Sequence, residues 1–287
     1  MIKKMFKKKN PLLLFGLTVF TLIVLGTVVF PMVSPYTWNA IDSTQKFRAP
    51  SSTHFFGTTE RGLDLFTCIW IGGRTSLFIA IIGTLPYTLI GSFTGIVGGY
   101  FGKKFDFVLS QIMTFIYAMP LLPLIMMLSF VLRNIGLNTP QVVYTSIIIY
   151  SLFSAPTLYK IIRVETIRIN SEEYMKAAEL IGIGSFRRII KHLLPNLSGQ
   201  IIVAMIQFMS QVLIFELILF FFGVSFMPLS TTSWGSLIPN LSGPNTFKDY
   251  YWIWLFPILT VSVTTISLKF ISEGLRIAYD PKVEDSH

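Results

Sequence analysis

The sequence predicts an all-α integral membrane protein with six transmembrane helices. Of its 287 residues, 52% are hydrophobic and only 13% are charged, whereas about one quarter of an ordinary soluble domain is charged. An apolar stretch of about 18 residues with few charges crosses a bilayer as a helix, because a helix satisfies its own backbone hydrogen bonds. Six stretches qualify, near Leu12–Val33, Thr75–Tyr100, Phe107–Leu132, Val142–Tyr159, Gly199–Gly223 and Tyr250–Leu268.

The first stretch shares one feature with signal peptides, because Lys3, Lys4 and further lysines precede it. However, its apolar run of about 22 residues is longer than the hydrophobic region of a typical signal peptide. Pro31 and Pro35 also lie where cleavage would require small residues. We therefore expect an uncleaved membrane anchor.

The positions of lysine and arginine predict the orientation of the chain. If the N-terminus is cytoplasmic, the outer segments hold six of the 23 basic residues, and the other 17 lie in inner segments. The outer six are Lys46, Arg48, Arg61, Arg74, Arg133 and Lys248. Cytoplasmic loops carry an excess of basic residues, so both termini are predicted to be cytoplasmic. The net charge of +9 does not indicate nucleic-acid binding, since the basic residues form no stripe interleaved with aromatic residues.

The six stretches divide the chain into an anchor, an outer segment and a five-helix core. The basic N-terminus and the anchor occupy residues 1–33, and the outer segment occupies 34–74. The core runs from 75 to 282, and a short tail follows at 283–287. Two loops in the core are much longer than turns: an inner loop at about 160–197 and an outer loop at about 224–249. Such long loops are usually functional or disordered.

The inner loop begins with the pattern of a short amphipathic helix. Ser171 is a suitable N-cap, and Glu172 and Glu173 suit the positively polarised first turn. Gly182 is predicted to end this helix. Four residues recur at helical spacing and predict its apolar face: Tyr174, Ala177, Ala178 and Ile181.

A second short amphipathic helix is predicted to follow, capped by Ser185 and ended by Pro195. Its expected apolar face consists of Phe186, Ile189, Ile190 and Leu193. Its basic side chains, expected to stay in water, are Arg187, Arg188 and Lys191. Basic amphipathic helices also rest on anionic lipid, so these residues alone leave a lipid contact and a protein contact equally open.

Several residues of the inner loop resemble the EAA loop of ABC importer permeases. Lys176-Ala177-Ala178, followed after three residues by Gly182, has its spacing, and Leu194-Pro195 has its end. Residues 191–196, KHLLPN, are similar to the R-H-I-L-P-N of the peptide branch, but Lys176 stands where the motif has glutamate. The resemblance implies a coupling helix that docks in a groove of an ATP-binding subunit. The residues that it implicates are Glu173, Tyr174, Lys176, Ala177, Ala178, Gly182, Ser185, Leu194 and Pro195.

Further segments, in order, resemble the C-type subunit of dipeptide and oligopeptide permeases. Residues 54–64, HFFGTTERGLD, are similar to its H-P-L-G-T-D-x-x-G-R-D, although Thr59 and Leu63 replace an aspartate and an arginine. The other similar segments are 73–77 (GRTSL), 98–102 (GGYFG), 233–235 (SWG), 255–257 (LFP) and 273–281 (EGLRIAYDP). The resemblance covers roughly residues 50–282.

This resemblance implies a type I ABC importer permease that takes up di- or oligopeptides across the bacterial inner membrane. It implies four partners: a homologous second permease subunit, two ATP-binding subunits and an extracytoplasmic solute-binding protein. ATP and Mg²⁺ would be bound by the ATP-binding subunits, and no cofactor is expected in this chain. Some relatives carry nickel or metal chelates, so that solute class stays open.

Glu216 is the only carboxylate deep inside a predicted span. A lone charge at that depth is costly, so it is expected to face protein or a wet cavity. Two roles stay open for it, a structural tie to a polar partner and a place in the solute path. Gly91 and Gly95 have the spacing that lets membrane helices approach closely. Their neighbour is either another helix of this chain or the second permease subunit.

No motif in the sequence indicates an enzyme. The G-x-x-x-x-G-K-[ST] phosphate loop is missing, and Gly102-Lys103-Lys104 lacks both its upstream glycine and its hydroxyl residue. Cys68 is expected to be a small buried hydrophobic residue. His54, His192 and His287 lie on distant segments and predict no metal site. A self-powered secondary transporter would contain inverted repeats, and none is evident. A membrane receptor or assembly factor is a further alternative function, and it would not need an ATP-binding partner.

Overall fold

The computed structural model describes residues 10–37, 41–222, 232–238 and 248–279. An all-α fold is confirmed for these residues, which form eight helices and two short 3₁₀ turns, at Ser43–Gln45 and Gly235–Leu237. The helices are α1 Pro11–Val33, α2 Leu65–Phe101, α3 Lys103–Tyr117, α4 Leu121–Asn134, α5 Thr139–Asn170, α6 Glu173–Leu180, α7 Ser185–Phe221 and α8 Tyr251–Tyr279.

Five of the described helices are long and apolar enough to cross a bilayer: α1, α2, α5, α7 and α8. Helices α3 and α4 meet this condition only as a pair, so the described residues contain five candidate spans, or six when this pair is counted as one span. The prediction of one continuous third helix over Phe107–Leu132 is wrong, because α3 and α4 are bent by 75°. Pro120 lies at the bend. It has no N–H to donate, and its ring disfavours a helical conformation at Met119.

Side-chain caps fix the starts of the spanning helices. The Asn10 side chain accepts a bond from the amide of Leu13 at the start of α1. Helix α2 begins at Leu65, well before the predicted start of that span at Thr75, because Asp64 caps it and accepts the Thr67 amide at 2.9 Å. Such caps satisfy amides that have no partner within the helix.

Glycines bring α2 and α5 into close contact. A Cβ added to Gly91 would lie 2.7 Å from Leu158 Cβ, and one added to Gly95 would lie 2.8 Å from Ile162 Cβ. Both neighbours belong to α5. The question left open by the sequence is therefore answered, since these glycines serve helix packing within the chain.

Four aromatic rings stack between α2, α5 and α7 in the centre of the bundle. The rings of Tyr87 and Phe208 lie 3.8 Å apart, and those of Tyr150 and Phe215 lie 3.9 Å apart. Phe208 also faces Tyr150 at 5.5 Å, which joins the two pairs. Cys68, near the start of α2, is also fully buried, as expected for a small hydrophobic residue.

The segment before α2 folds against the start of α8. Phe56 stacks on Phe256 with ring centres 4.1 Å apart, and Phe47 stacks on Tyr250 at 4.3 Å. His54 Nδ1 lies 2.9 Å from Asp64 Oδ1, and both residues are buried. The His54 ring is thus paired with the Asp64 carboxylate, which also caps α2.

Candidate functional site

The inner loop contains two helices that meet at a tight turn. Gly182 follows α6 with a φ of +80°, which glycine adopts without the strain that a side chain causes. Its amide donates to Glu179 O at 3.0 Å, and the amide of Ile183 donates to Ala178 O at 3.0 Å. This pair of bonds is a Schellman motif, which satisfies the last carbonyl groups of a helix. The prediction that Gly182 ends the first helix is confirmed.

Both predicted N-caps of the inner loop are wrong by one residue. The N-cap of α6 is Glu172, because α5 continues to Asn170 and Ser171 ends it. The Ser171 hydroxyl donates back to Arg168 O of α5 at 2.7 Å. Gly184 precedes α7, and Ser185 is its first helical residue.

Pro195 does not end the second helix, contrary to the prediction. The chain forms a π-helical segment at Ile189–Leu193 and continues as α7 to Phe221. Proline removes one backbone donor and disturbs the turn before it, and a wider π turn accommodates this change. The Asn196 side chain donates to His192 O at 2.6 Å, which satisfies a carbonyl at the break. The inner loop is therefore continuous with a membrane-spanning helix.

The predicted apolar faces of the two helices are only partly correct. On α6 the buried residues are Met175 and Ala178, whereas Tyr174 is exposed. On the following helix Leu193 is buried, but Phe186 is 79% exposed. Helix α6 has only eight residues, and the start of α7 is part of a long helix, so packing against neighbouring helices decides which side is buried more than local periodicity does.

Three large apolar side chains project from the turn between α6 and α7. Leu180, Ile181 and Phe186 are 88%, 77% and 79% exposed. We call these three residues the apolar tip. In the sequence the tip lies between the predicted spans Val142–Tyr159 and Gly199–Gly223. Large apolar side chains grouped on a polar loop mark a surface that another molecule covers.

Arg188 connects both arms of the inner loop to the end of α2. Its Nη1 atom lies 2.9 Å from Glu179 Oε2 on α6, and its guanidinium lies 5.6 Å from the centre of the Tyr100 ring. Only 8% of Arg188 is exposed, so the prediction that it stays in water is wrong. A carboxylate and an aromatic face both attract a guanidinium group, which explains its burial.

The other residues that the EAA resemblance implicates are divided between surface and interior. The exposed ones on α6 are Glu173, Tyr174, Lys176 and Ala177, and those on α7 are Leu194 and Pro195. Ala178 faces inward, and Gly182 and Ser185 form the turn and the helix start. Of these, Tyr174 joins the two arms, since its hydroxyl accepts a bond from the Asn196 side chain at 3.4 Å. Sequence reasoning missed Leu180 and the Glu179–Arg188 pair, which no helical spacing relates.

Glu216 is enclosed by protein on α7 and is 1% exposed. The Ser76 hydroxyl on α2 donates to Glu216 Oε1 at 3.0 Å and accepts the amide of Trp234 at 2.9 Å. The Trp234 indole donates to Ile69 O at 2.8 Å. These contacts tie the described piece of the outer loop, residues 232–238, to two spanning helices.

Small residues let this piece of loop approach the bundle. A Cβ added to Gly72 would lie 3.1 Å from the backbone of Ser233, and one added to Gly73 would lie 3.0 Å from the Trp234 ring. Trp234 is fully buried as a result. The polar partner expected for Glu216 is thus present, and its place in the solute path stays a prediction.

Two known families match the chain. Residues 88–285 match the family described as binding-protein-dependent transport system inner membrane components. Residues 7–50 match the N-terminal transmembrane domain of oligopeptide transport permease C. The first match contains the inner loop and Glu216, and the second contains α1.

Individual relatives match over nearly the full chain. The dipeptide transport system permease protein DppC of Bacillus subtilis is 33% identical over 276 residues, which is 96% of this chain and 83% of the relative. The oligopeptide transport system permease protein OppC of the same organism is 29% identical, over 96% of this chain and 87% of the relative. A putative peptide transport system permease protein of Brucella suis is 28% identical, over 94% and 87%.

Proposed function

The chain belongs to the family of binding-protein-dependent transport system inner membrane components, and from this premise we propose that it forms half of the pore of an ATP-driven importer for di- or oligopeptides. A second, homologous permease subunit supplies the other half. An extracytoplasmic binding protein delivers the solute to the outer side, and two ATP-binding subunits on the inner side bind ATP and Mg²⁺. This chain itself performs no hydrolysis.

The observation that carries the proposal is the apolar tip on the inner loop. Leu180, Ile181 and Phe186 are each more than three-quarters exposed although they belong to an ordered turn between two helices. The exposed residues of α6 near the tip include three charged ones, Glu173, Lys176 and Glu179. An apolar centre with a polar rim is typical of a protein interface. The tip therefore serves as the contact with an ATP-binding subunit, and the loop transmits movement of that subunit to α5 and α7, with which it is continuous.

Peptide as the solute is supported by the relatives, two of which are named for dipeptide and oligopeptide transport. We infer that the solute path does not run through the interior of this chain, because Glu216 and its partners are packed within the helix bundle. The path therefore runs between this subunit and its homologue.

The test is to express the chain with the remaining subunits of its importer and to purify it in mild detergent. We expect the ATP-binding subunits to copurify, and the variant Leu180→Ser with Phe186→Ser to lose them. Ile41→Ser is the matched control, because Ile41 is an exposed apolar residue of the outer segment. If the tip variant retained its ATP-binding subunits and full uptake, the docking proposal would be wrong.

The solute is tested on the same complex in liposomes together with its binding protein. We expect dipeptides or oligopeptides to stimulate ATP hydrolysis and to accumulate inside. Stimulation by nickel or a metal chelate, with no response to peptides, would contradict the peptide assignment and leave the ATP-driven importer assignment intact.

A further inference from the structure

We propose that Glu179 and Arg188 are positioning residues, which hold the apolar tip at a fixed angle to α2 so that movement of a docked subunit reaches the pore helices. This inference rests on the proposed docking function of the tip. It assigns a role to an ion pair that connects the two arms of the inner loop.

The turn between the arms does not fix their angle by packing. Gly182 and Gly184 flank Ile183 in this turn, and an added Cβ at either glycine would meet no atom within 4 Å. The two backbone bonds of Gly182 and Ile183 hold only the end of α6. Besides the 3.4 Å bond from the Asn196 side chain to the Tyr174 hydroxyl, a separate contact nearer the tip must therefore set the direction of α6 relative to α7.

The Glu179–Arg188 ion pair crosses the turn and supplies this contact. The Glu179 side chain is 67% exposed and adjoins Leu180 of the tip, whereas the Arg188 side chain is 10% exposed. The guanidinium thus sits inside the protein, and the carboxylate reaches in to it from the surface. Removing the partner of a buried arginine costs more free energy than removing the partner of a surface arginine, because the buried charge is then left uncompensated.

Arg188 also contacts the inner end of α2. Its guanidinium faces the Tyr100 ring. The preceding residue, Gly99, packs closely against α5, because a Cβ added to it would lie only 2.7 Å from Arg163 O. Arg163 in turn pairs with Asp106 of α3. These contacts join the end of α2 to α3 and α5. Arg188 connects the tip to these three helices through Tyr100.

Charge reversal tests the proposal in the complete importer. Glu179→Arg is expected to keep its ATP-binding subunits bound and to lower peptide uptake by about tenfold, which corresponds to about 1.4 kcal/mol of lost coupling. Combining Glu179→Arg with Arg188→Glu is expected to restore uptake to within about threefold of the wild type, because the attraction is re-formed with the charges exchanged. Arg188→Lys alone should lower uptake only in part, since lysine keeps the charge but lacks the planar group that lies against Tyr100.

The matched control is Glu273→Arg, which breaks an exposed ion pair with Arg276 on α8 by the same change of charge. It is expected to change uptake by less than about twofold. If the reversed variants do not accumulate, Glu179→Ala decides the matter, because Glu179 is exposed and alanine suits a helix. Normal uptake by Glu179→Ala, or no rescue by the double reversal, would overturn the proposal.

The two proposals fail separately. If the tip variant releases the ATP-binding subunits while every Glu179 variant transports normally, docking stands and positioning is wrong. If the wild-type chain itself binds no ATP-binding subunit, the proposed function is wrong.

Discussion

Ser76 on α2 donates a hydrogen bond of 3.0 Å to Glu216 on α7, and the same hydroxyl accepts the amide of Trp234 from the outer loop. One oxygen atom therefore links two membrane-spanning helices and a loop. We expect Glu216→Gln to fold and assemble, because the amide keeps the shape and an acceptor. We expect its peptide uptake to fall by roughly tenfold, which corresponds to about 1.4 kcal/mol, because the amide offers one acceptor oxygen where the carboxyl group offers two. Uptake and copurification are measured side by side, and normal uptake would contradict a role in transport.

Ser76→Ala tests the structural role of the same contact. It removes the donor to Glu216 and the acceptor of the Trp234 amide, so we expect a loss of about 1 to 3 kcal/mol in the free energy of unfolding. Ser210→Ala is the control, because Ser210 is also buried but its hydroxyl bonds to Gln207 O on its own helix. Thermal unfolding in detergent compares the two. Equal melting temperatures would show that the link between helices contributes no stability.

Gly95→Ala is expected to destabilise the bundle by about 1 to 3 kcal/mol, because the new Cβ would lie 2.8 Å from Ile162 Cβ and 3.0 Å from Tyr159 O. Gly98→Ala on the same helix is the control. Its Cβ would meet Tyr159 at an ordinary 3.4 Å, and alanine favours a helix over glycine by about 1 kcal/mol. The two variants should thus shift the melting temperature in opposite directions, and a shift in the same direction would contradict the close-packing argument.

Much of the fold follows from the sequence because the bilayer leaves few choices. A long apolar stretch such as Leu12–Val33 has to be a helix there, and α1 occupies Pro11–Val33. The bend between α3 and α4 was missed because hydropathy does not register a break in a helix. Pro120 was visible in the sequence, and weighing it would have predicted the bend.

The candidate site was less predictable, for reasons that Arg188 illustrates. A pattern of polar and apolar residues predicts which side of a helix is polar. It does not predict whether a charged side chain is buried against a partner on another helix. The partners of Arg188 are Glu179 and Tyr100, and both lie on other helices. Likewise, the depth of Glu216 predicted a polar partner, but Ser76 lies 140 residues away in the chain, and only the packing of α2 on α7 identifies it.

The conformation of Gly182 predicts a graded response to substitution. At a φ of +80° an L-residue is strained by about 1 to 3 kcal/mol, and asparagine tolerates this region better than branched residues do. We therefore expect uptake to be highest in Gly182→Asn and Gly182→Asp, lower in Gly182→Ala and lowest in Gly182→Val. An added Cβ meets no neighbour within 4 Å, so steric crowding does not explain the order. Unchanged uptake in Gly182→Val, with ATP-binding subunits still bound, would contradict the assignment of this loop to coupling.

Lys176 stands where the EAA motif has glutamate, and its neighbours give a physical reason. Glu172 and Glu173 lie four and three residues before it, and Glu179 lies three residues after it, so Lys176 is the central basic residue among three acids at helical spacing. Like charges at this spacing destabilise a helix by about 0.2 to 0.5 kcal/mol per pair. Introducing the motif residue by Lys176→Glu would therefore add three repulsive pairs to α6, which has only eight residues.

We expect Lys176→Glu to lower peptide uptake by about two- to tenfold, according to the summed repulsion. Lys176→Gln, which removes the charge without adding repulsion, should stay within about twofold of the wild type. Combining Lys176→Glu with Glu172→Lys restores one opposite-charge pair at four residues' spacing and should recover part of the loss. Uptake assays of the three variants in one complex are compared at high and low salt, since screening weakens exposed charge pairs. A Lys176→Glu variant that transports better than the wild type would mean that a contact made by the motif glutamate outweighs the repulsion within α6.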